Sequence, residues 1–253
     1  MKTLDLNCDM GEGMGAWKMG DDAALLDYVS SANIACGYHA GDPGIIHRTV
    51  ELAIDKGVAV GAHPSLPDLQ GFGRRPMQVS PAEAYDMVLY QIGALGAFAV
   101  ACGGKLAHVK PHGALYNMAA KDGKLARAIA RAIQDFDPAL VLFGLAGSEL
   151  VRAGEQAGLK TANEVFADRT YQADGSLTPR SELGAMIADV KGSIAQVKRM
   201  VEEGKVRSVD GTDVAVRADT LCIHGDEPNA VEFARSIRRA LTEAGVQVAP
   251  IAR

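Results

Sequence analysis

No stretch of the chain approaches the roughly 18–20 uninterrupted apolar residues that a membrane span requires. A Gly-X-Y period and a heptad repeat are also absent, which excludes a fibrous protein. Positive charge is not in excess: 26 Lys+Arg stand against 31 Asp+Glu, a net charge of −5, and no basic block occurs. Binding to nucleic acid or to an anionic membrane by bulk electrostatics is thereby disfavoured. Cysteine is sparse. Cys8, Cys36, Cys102 and Cys222 lie far apart with no C-x-x-C pair, so a disulfide scaffold is excluded. The first residues, Met1-Lys2-Thr3-Leu4-Asp5, turn polar at once and do not read as a signal peptide. Together with the cysteine usage this predicts a reducing, cytoplasmic location.

What is present is an ordinary globular composition. The 253 residues are 48% hydrophobic and 23% charged, enough for a large core and too apolar for disorder. No Ser/Gly/Pro linker and no internal repeat divides the chain, so residues 1–253 read as a single domain. Short β-rich runs alternate with longer helical patterns. Strands are expected at Thr3–Cys8, Ala32–Cys36, Val58–Ala62, Leu106–Lys110, Leu140–Leu145, Thr161–Phe166 and Thr220–His224. Their apolar or mixed patterns, without strict alternation, suit strands covered on both faces.

The helices between them carry start and stop signals. Asp42-Pro43 opens one that ends at Lys56-Gly57, and Ser80-Pro81-Ala82-Glu83 is a capping box for one that runs to Gly103-Gly104. Phe233, Ile237, Ala240, Leu241 and Ala244 mark a final helix, and weaker helical patterns fall at about 21–29, 119–135, 147–157 and 182–203. Residues 206–216 read as a small hairpin turning at Asp210-Gly211. This order predicts a mainly parallel sheet with right-handed crossovers. Seven units in this length suit a seven-stranded parallel β/α barrel, with an open doubly wound sheet as the alternative.

In parallel α/β folds chemistry collects beyond the carboxyl ends of the strands. Those ends read Asn7-Cys8-Asp9 followed by Gly11-Glu12-Gly13, Cys36-Gly37-Tyr38-His39, Ala62-His63-Pro64 with Asp68 after it, Lys110-Pro111-His112-Gly113, Glu164 to Arg169, and His224-Gly225-Asp226. Four of the six histidines fall there; His47 and His108 lie inside helix and strand patterns and read as structural. Asp42 reads as a helix N-cap as much as a reactive group, and Asp226 before Pro228 is equally ambiguous. The cysteines read as small core residues. Lys110 closes an apolar strand, where a lysine needs a partner. Either Glu164 or an Asp neutralises it, or it stabilises an anion, and the two readings are compatible.

Asp9, His39 and His63, with His112, are the residue types that hold a divalent cation with an open position for water. No H-E-x-x-H spacing exists, so this rests on convergence at the mouth alone. Gly11-Glu12-Gly13-Met14-Gly15 matches neither G-x-G-x-x-G nor the P-loop pattern.

Several segments resemble the LamB/YcsF family, the A components of 5-oxoprolinase. They are Asp5–Glu12, Ser31–Pro43, Gly61–Ser65, Gln70–Arg75, Val109–Asn117, Glu164–Arg169 and His224–Asp226, in order along nearly the whole chain. Gly13-Met14 stands where Ser-Phe is expected and Tyr38 where Phe is expected; neither change removes an ionisable group. The resemblance implies a seven-stranded β/α barrel of the glycoside hydrolase/deacetylase type. It also implies an enzyme component that acts with partner subunits B and C, opening 5-oxo-L-proline to L-glutamate at the expense of ATP as co-substrate.

Such chemistry needs a base, an acid and a cation near the developing oxyanion. Asp9 or His63 suits the base, His112 the acid and Lys110 the cation, with Glu164 beside it. Arg74 or Arg169 suits the substrate carboxylate through a bidentate pair, and Asn7 joins them as a substrate-binding candidate. Two other readings stand beside this one: a metal-dependent amide or sugar hydrolase or deacetylase acting without ATP, and a non-catalytic scaffold subunit.

Overall fold

The computed structural model describes residues 2–187, 189–225 and 229–251; the candidates Asp226 and Pro228 lie outside the described residues. In chain order the elements are β1 (Lys2–Met10), α1 (Asp22–Leu25), β2 (Ser31–Ala35), α2 (Pro43–Asp55), β3 (Ala59–His63), α3 (Pro81–Ala101), β4 (Leu106–Val109), α4 (Gly113–Ala119), α5 (Gly123–Phe136), β5 (Val141–Leu145), α6 (Glu149–Gln156), β6 (Lys160–Phe166), α7 (Val190–Glu203), β7 (Lys205–Arg207), β8 (Asp213–Ala215), β9 (Thr220–Ile223), α8 (Ala230–Glu243) and β10 (Val246–Val248). All seven expected strands are present.

Strands β1 to β6 and β9 pair in parallel in the order β1-β2-β3-β4-β5-β6-β9, and β9 pairs back onto β1. The open-sheet alternative is thereby excluded: the molecule is a closed seven-stranded parallel β/α barrel. Strand β10 extends the amino end of β1, Lys2 opposite Val246. The antiparallel pair β7–β8 is the expected hairpin and stands apart from the barrel.

The helix signals act as read. Asp42 caps α2 by accepting from the backbone N–H of Gly44 and Ile45. The Ser80–Glu83 capping box opens α3 with both reciprocal bonds formed. By length and mean hydropathy α3 is apolar enough to cross a membrane, but it is a barrel helix whose Ala84, Val88, Ile92, Leu95 and Ala99 are buried in the core. The expected helix at 119–135 is α5, which starts where Asp122 accepts from Lys124 and Leu125 N–H; the short α4 ahead of it was not expected. The pattern at 182–203 begins only at Val190. Gly184, at φ +82°, cannot continue a helix, and Asp189 supplies the cap.

One strand departs from the mixed pattern. In β1 Leu4, Leu6, Cys8 and Met10 join the core shared with the helices, while the residues between them turn inward. Inside the barrel, Asp5 accepts from Ser30, Ser31 and Thr220, and Asn7 is tied to Asn33 and Thr220. His108 meets Asn33 at 2.7 Å and stacks on Phe143. This polar ladder leads up to the mouth.

Candidate active site

Each strand end delivers its residue by backbone pairing that continues past the strand. The N–H of Lys110 donates to the Ala62 carbonyl, that of His112 to Pro64, and that of Ala114 to Gly73. Loop 64–73 therefore runs against the start of α4. It does so closely enough that a Cβ at Gly113, where φ is +56°, would lie 2.5 Å from the Gly73 carbonyl oxygen. Fully buried Gln91, on α3, fixes the same loop by bonding both the N–H and the C=O of Ser65 at 2.9 Å.

Asp9, His39, His63, Lys110, His112 and Glu164 form one connected, buried cluster. The Lys110 ammonium lies 2.9 Å from Asp9 Oδ1 and 2.9 Å from Glu164 Oε1. It also reaches Asn7 Oδ1 at 3.2 Å and Cys222 Sγ at 3.1 Å. Burial alone would push the Lys110 ammonium down, but Asp9, Cys222 and Glu164 outweigh it and hold the group well above the ordinary lysine range. Burial likewise pulls Asp9 upward, and the charges of His63 and Lys110 reverse this, leaving the carboxyl well below its ordinary range. The Cys222 thiol is pushed well up by burial, as suits a core thiol rather than a nucleophile.

The histidines are oriented by carbonyls. His63 Nδ1 lies 2.7 Å from the Lys110 carbonyl and His112 Nε2 lies 2.8 Å from the Phe72 carbonyl, so each of these nitrogens donates. The other nitrogens, His63 Nε2 and His112 Nδ1, then face each other at 2.9 Å, and Asp9 Oδ2 lies 3.3 Å from His63 Nε2. His39 stacks on His112 at 3.8 Å and meets Glu12 Oε1 at 3.3 Å through Nε2. Burial pushes both His39 and His112 well below the ordinary histidine range, with neighbouring imidazoles adding to the effect.

The cluster opens into a cavity of about 620 Å³ lined by Asp9, Glu12, His63, Arg74, Lys110, His112, Tyr116, Phe166, Arg169, Arg180, Lys121 and His224, among others. Three candidates lie one layer deeper, outside that lining. Asn7 is fully buried with its amide taken by Thr220, Asn33 and Lys110. Glu164 is fully buried between Lys110 and the Tyr116 hydroxyl, which donates to it at 2.6 Å. His39 backs His112. The expected cation donors divide between two groups of approaching side chains: His39 and His63 lie with Glu12 and His112, and Asp9 lies with Cys222 and His224.

Sequence reasoning misses Glu12, Tyr116 and Arg180. Glu12 sits in a glycine-rich run whose pattern raises only the question of phosphate binding. Arg180 lies in a long excursion between β6 and α7 that carries no motif. There His224 Nδ1 bonds Asp168 Oδ2 at 2.6 Å, and Arg180 Nη2 donates to His224 Nε2 at 2.9 Å.

The fold and site together define a parallel β/α barrel with a buried carboxylate–lysine–histidine cluster at the carboxyl ends of its strands. A GH113 β-1,4-mannanase shares the barrel fold at 11% identity and a TM-score of 0.50, covering 96% of this chain and 99% of its own. The chain belongs to the LamB/YcsF family, whose model matches residues 4–253. It is 62% identical over 248 residues to the 5-oxoprolinase A subunit of Bacillus licheniformis, covering 98% of each chain. It is equally 62% identical to that of Bordetella pertussis, covering 97% of this chain and 98% of the relative. The crystal structure of a lactam utilization protein from Thermus thermophilus matches at a TM-score of 0.92 and 54% identity, covering 98% of this chain and 99% of that one.

Proposed function

We propose that this chain is the ring-opening component of a cytoplasmic, ATP-dependent 5-oxoprolinase. With partner subunits B and C it would cleave 5-oxo-L-proline to L-glutamate while ATP is hydrolysed to ADP and phosphate. The names of its relatives support this reading. The observation that carries it is the Lys110 ammonium, held by two carboxylates beside the His63–His112 pair on one cavity wall.

A five-membered lactam is a poor electrophile, so the amide oxygen is first phosphorylated from ATP. Water then attacks the activated carbon, the C–N bond breaks, the nitrogen takes a proton, and a second water hydrolyses the acyl phosphate to carboxylate and phosphate. Asp9 is a weak base because its carboxyl sits so low; His63 Nε2 is the base, and the Asp9 carboxylate beside it stabilises the imidazolium that forms. The 2.9 Å contact passes the proton to His112 Nδ1, which returns it to the leaving nitrogen. Lys110 faces the developing oxyanion. Arg74, over the Phe72 ring at 4.8 Å, holds the substrate carboxylate.

The test is glutamate and ADP formation from 5-oxoproline by the chain alone and with its partners. The chain alone is expected to show little or no turnover and the assembled complex full turnover. Robust ATP-coupled turnover by the isolated chain would refute the division of labour.

A second reading, a metal-dependent amide or sugar hydrolase acting without ATP, is favoured by the donor set. Metal-bound histidines donate their other ring N–H to an outer partner. His63 and His112 do so, and Glu12, His39, His63 and His112 bring possible ligand atoms within reach of one another. A divalent cation held there would polarise a carbonyl and acidify a water. Metal analysis before and after chelation, with an ATP-free hydrolysis assay, decides between the readings.

A further inference from the structure

Strand register builds one layer of the barrel interior around Asp9. Asp9 of β1 lies beside Asn33 of β2, Asn33 beside Gly61 of β3, and Gly61 beside His108 of β4. Gly61 contributes no side chain, and the His108 ring fills the space that one would take: a Cβ there would lie 2.0 Å from His108 Nε2. Through that gap His108 reaches past β3 and meets Asn33 Oδ1 at 2.7 Å. Asn33 in turn reaches Asp9 Oδ1 at 2.8 Å. Residues from four strands thus make one row that ends on the Asp9 carboxylate.

The row has a direction. Asp9 is ionised, so whichever Asn33 atom faces it must donate. That atom is Nδ2, and its two protons go to Asp9 Oδ1 and, at 2.7 Å, to Asn7 Oδ1. The Asn7 oxygen is itself fixed as an acceptor, because Lys110 donates to it while Asn7 Nδ2 donates to Thr220. Asn33 Oδ1 is left to accept from His108, whose ring, kept neutral by burial, carries its proton on Nε2. Both polar atoms of this fully buried amide are therefore assigned, and it cannot be reversed.

Asp9 receives the consequence. Its Oδ1 takes two donors, Lys110 at 2.9 Å and Asn33 at 2.8 Å, and Oδ2 is the oxygen left facing His63 Nε2 at 3.3 Å. Lys110 alone does not settle which oxygen goes where. An ammonium is a compact charge on a flexible stem, and either carboxylate oxygen satisfies it. A planar amide held at three points selects one. We propose that Asn33, anchored by His108, is a positioning residue: it sets the rotation of the Asp9 carboxylate and keeps Oδ2 against the His63 base. The catalytic value of that rotation rests on the lactam reading, in which Asp9 stabilises the imidazolium formed as His63 takes a proton from water.

Crystal structures of variant chains, with kcat and KM for 5-oxoproline measured in the complex with B and C, provide the test. Asn33→Asp keeps the side-chain shape and replaces the donor that faces Asp9 by an acceptor. Asp9 Oδ2 is expected to swing out of hydrogen-bonding reach of His63, with kcat at least about tenfold lower and KM unchanged. His108→Leu touches neither Asp9 nor His63 but frees the Asn33 amide, so it should show the same displacement and a smaller fall in kcat. His108→Gln, which keeps a donor at similar reach, should stay at native values. If circular dichroism shows Asn33→Asp unfolded, the two His108 variants carry the test. Asp9 in its native rotation in folded variants that lack the donor overturns the positioning role. So does a displaced carboxylate with native kcat, and so does a rise in KM alone, which would make Asn33 a substrate-binding residue. An inert native complex sinks the lactam reading, while a rotated Asp9 in the same variants still upholds the positioning of the carboxylate.

Discussion

Lys110 has two carboxylates for partners, the partly buried Asp9 and the fully buried Glu164, so its replacement has two separable effects. Lys110→Met deletes the charge and keeps a stem of similar length. Removing one member of a buried ion pair costs about 3–5 kcal/mol, because an uncompensated charge stays behind. Removing a preorganised electrostatic group costs about 10²–10³ in turnover. Lys110→Met is therefore expected to melt lower and to leave the complex at least about a hundredfold slower. Adding Glu164→Gln separates the effects: the double variant should regain much of the lost stability and none of the turnover. If turnover by either variant stays near normal, Lys110 is a structural ion-pair residue only. Its identity as a paired strand-end lysine was legible in the sequence, with Glu164 or an unspecified Asp as the expected partner. That Asp9 shares it was not, because these residues lie 101 positions apart and meet only across the barrel.

At the scale of elements, the β3–β4 pair shows how a strand makes room for the polar interior. Gly61 sits opposite His108 in register, and a Cβ there would lie 2.0 Å from His108 Nε2. The imidazole cannot yield freely, since it bonds Asn33 and stacks on Phe143. Gly61→Ala is expected to destabilise by about 1–3 kcal/mol through overpacking. Gly93, in α3, has nothing within 4 Å of its Cβ position, so Gly93→Ala is the matched control. It should stabilise by up to about 1 kcal/mol. Equal melting shifts in the two variants would remove the steric argument. The start of α7 and the short α4 escaped the sequence reading. A single Asp cap decides where the chain restarts.

For the whole molecule, the polar barrel interior makes stability depend on pH. Burial first, then the charge of Lys110, pushes His108 down to about 3. Its folded value therefore lies below the unfolded value near 6.5. Between these limits the unfolded chain binds the extra proton, so this contribution is complete above about pH 6.5 and is lost as pH falls toward 3. At pH 5 the loss from His108 amounts to about 2 kcal/mol. Asp5, raised by burial despite three hydroxyl donors, opposes this in the acid range. Urea midpoints at pH 7.5 and 5 provide the measurement. The native chain should lose stability over that interval, and His108→Gln should lose less. A midpoint shift of the same size in both would show that His108 is not the group responsible.

The sequence by itself determined the seven strands, the helix caps and the family. These depend on residues close together in the chain: apolar runs, Asp-Pro and Ser-x-x-Glu signals, and unbroken motifs such as Val109–Asn117. It also placed His63, Lys110 and His112 at strand ends, where a parallel sheet collects its polar groups. The alternation Asp5, Asn7, Asp9 is a local signal of the polar barrel interior that the sequence reading did not use. Closure was decided by tertiary structure, because it depends on β1 meeting β9 more than 200 residues away. Depth was decided there too. Asn7 and Glu164 stand at strand ends like Asp9 and Lys110, yet they face inward below the floor, where amide and hydroxyl partners consume their polar atoms. Arg180 comes from a stretch without any motif, and it meets His224, 44 positions away, only in the folded chain.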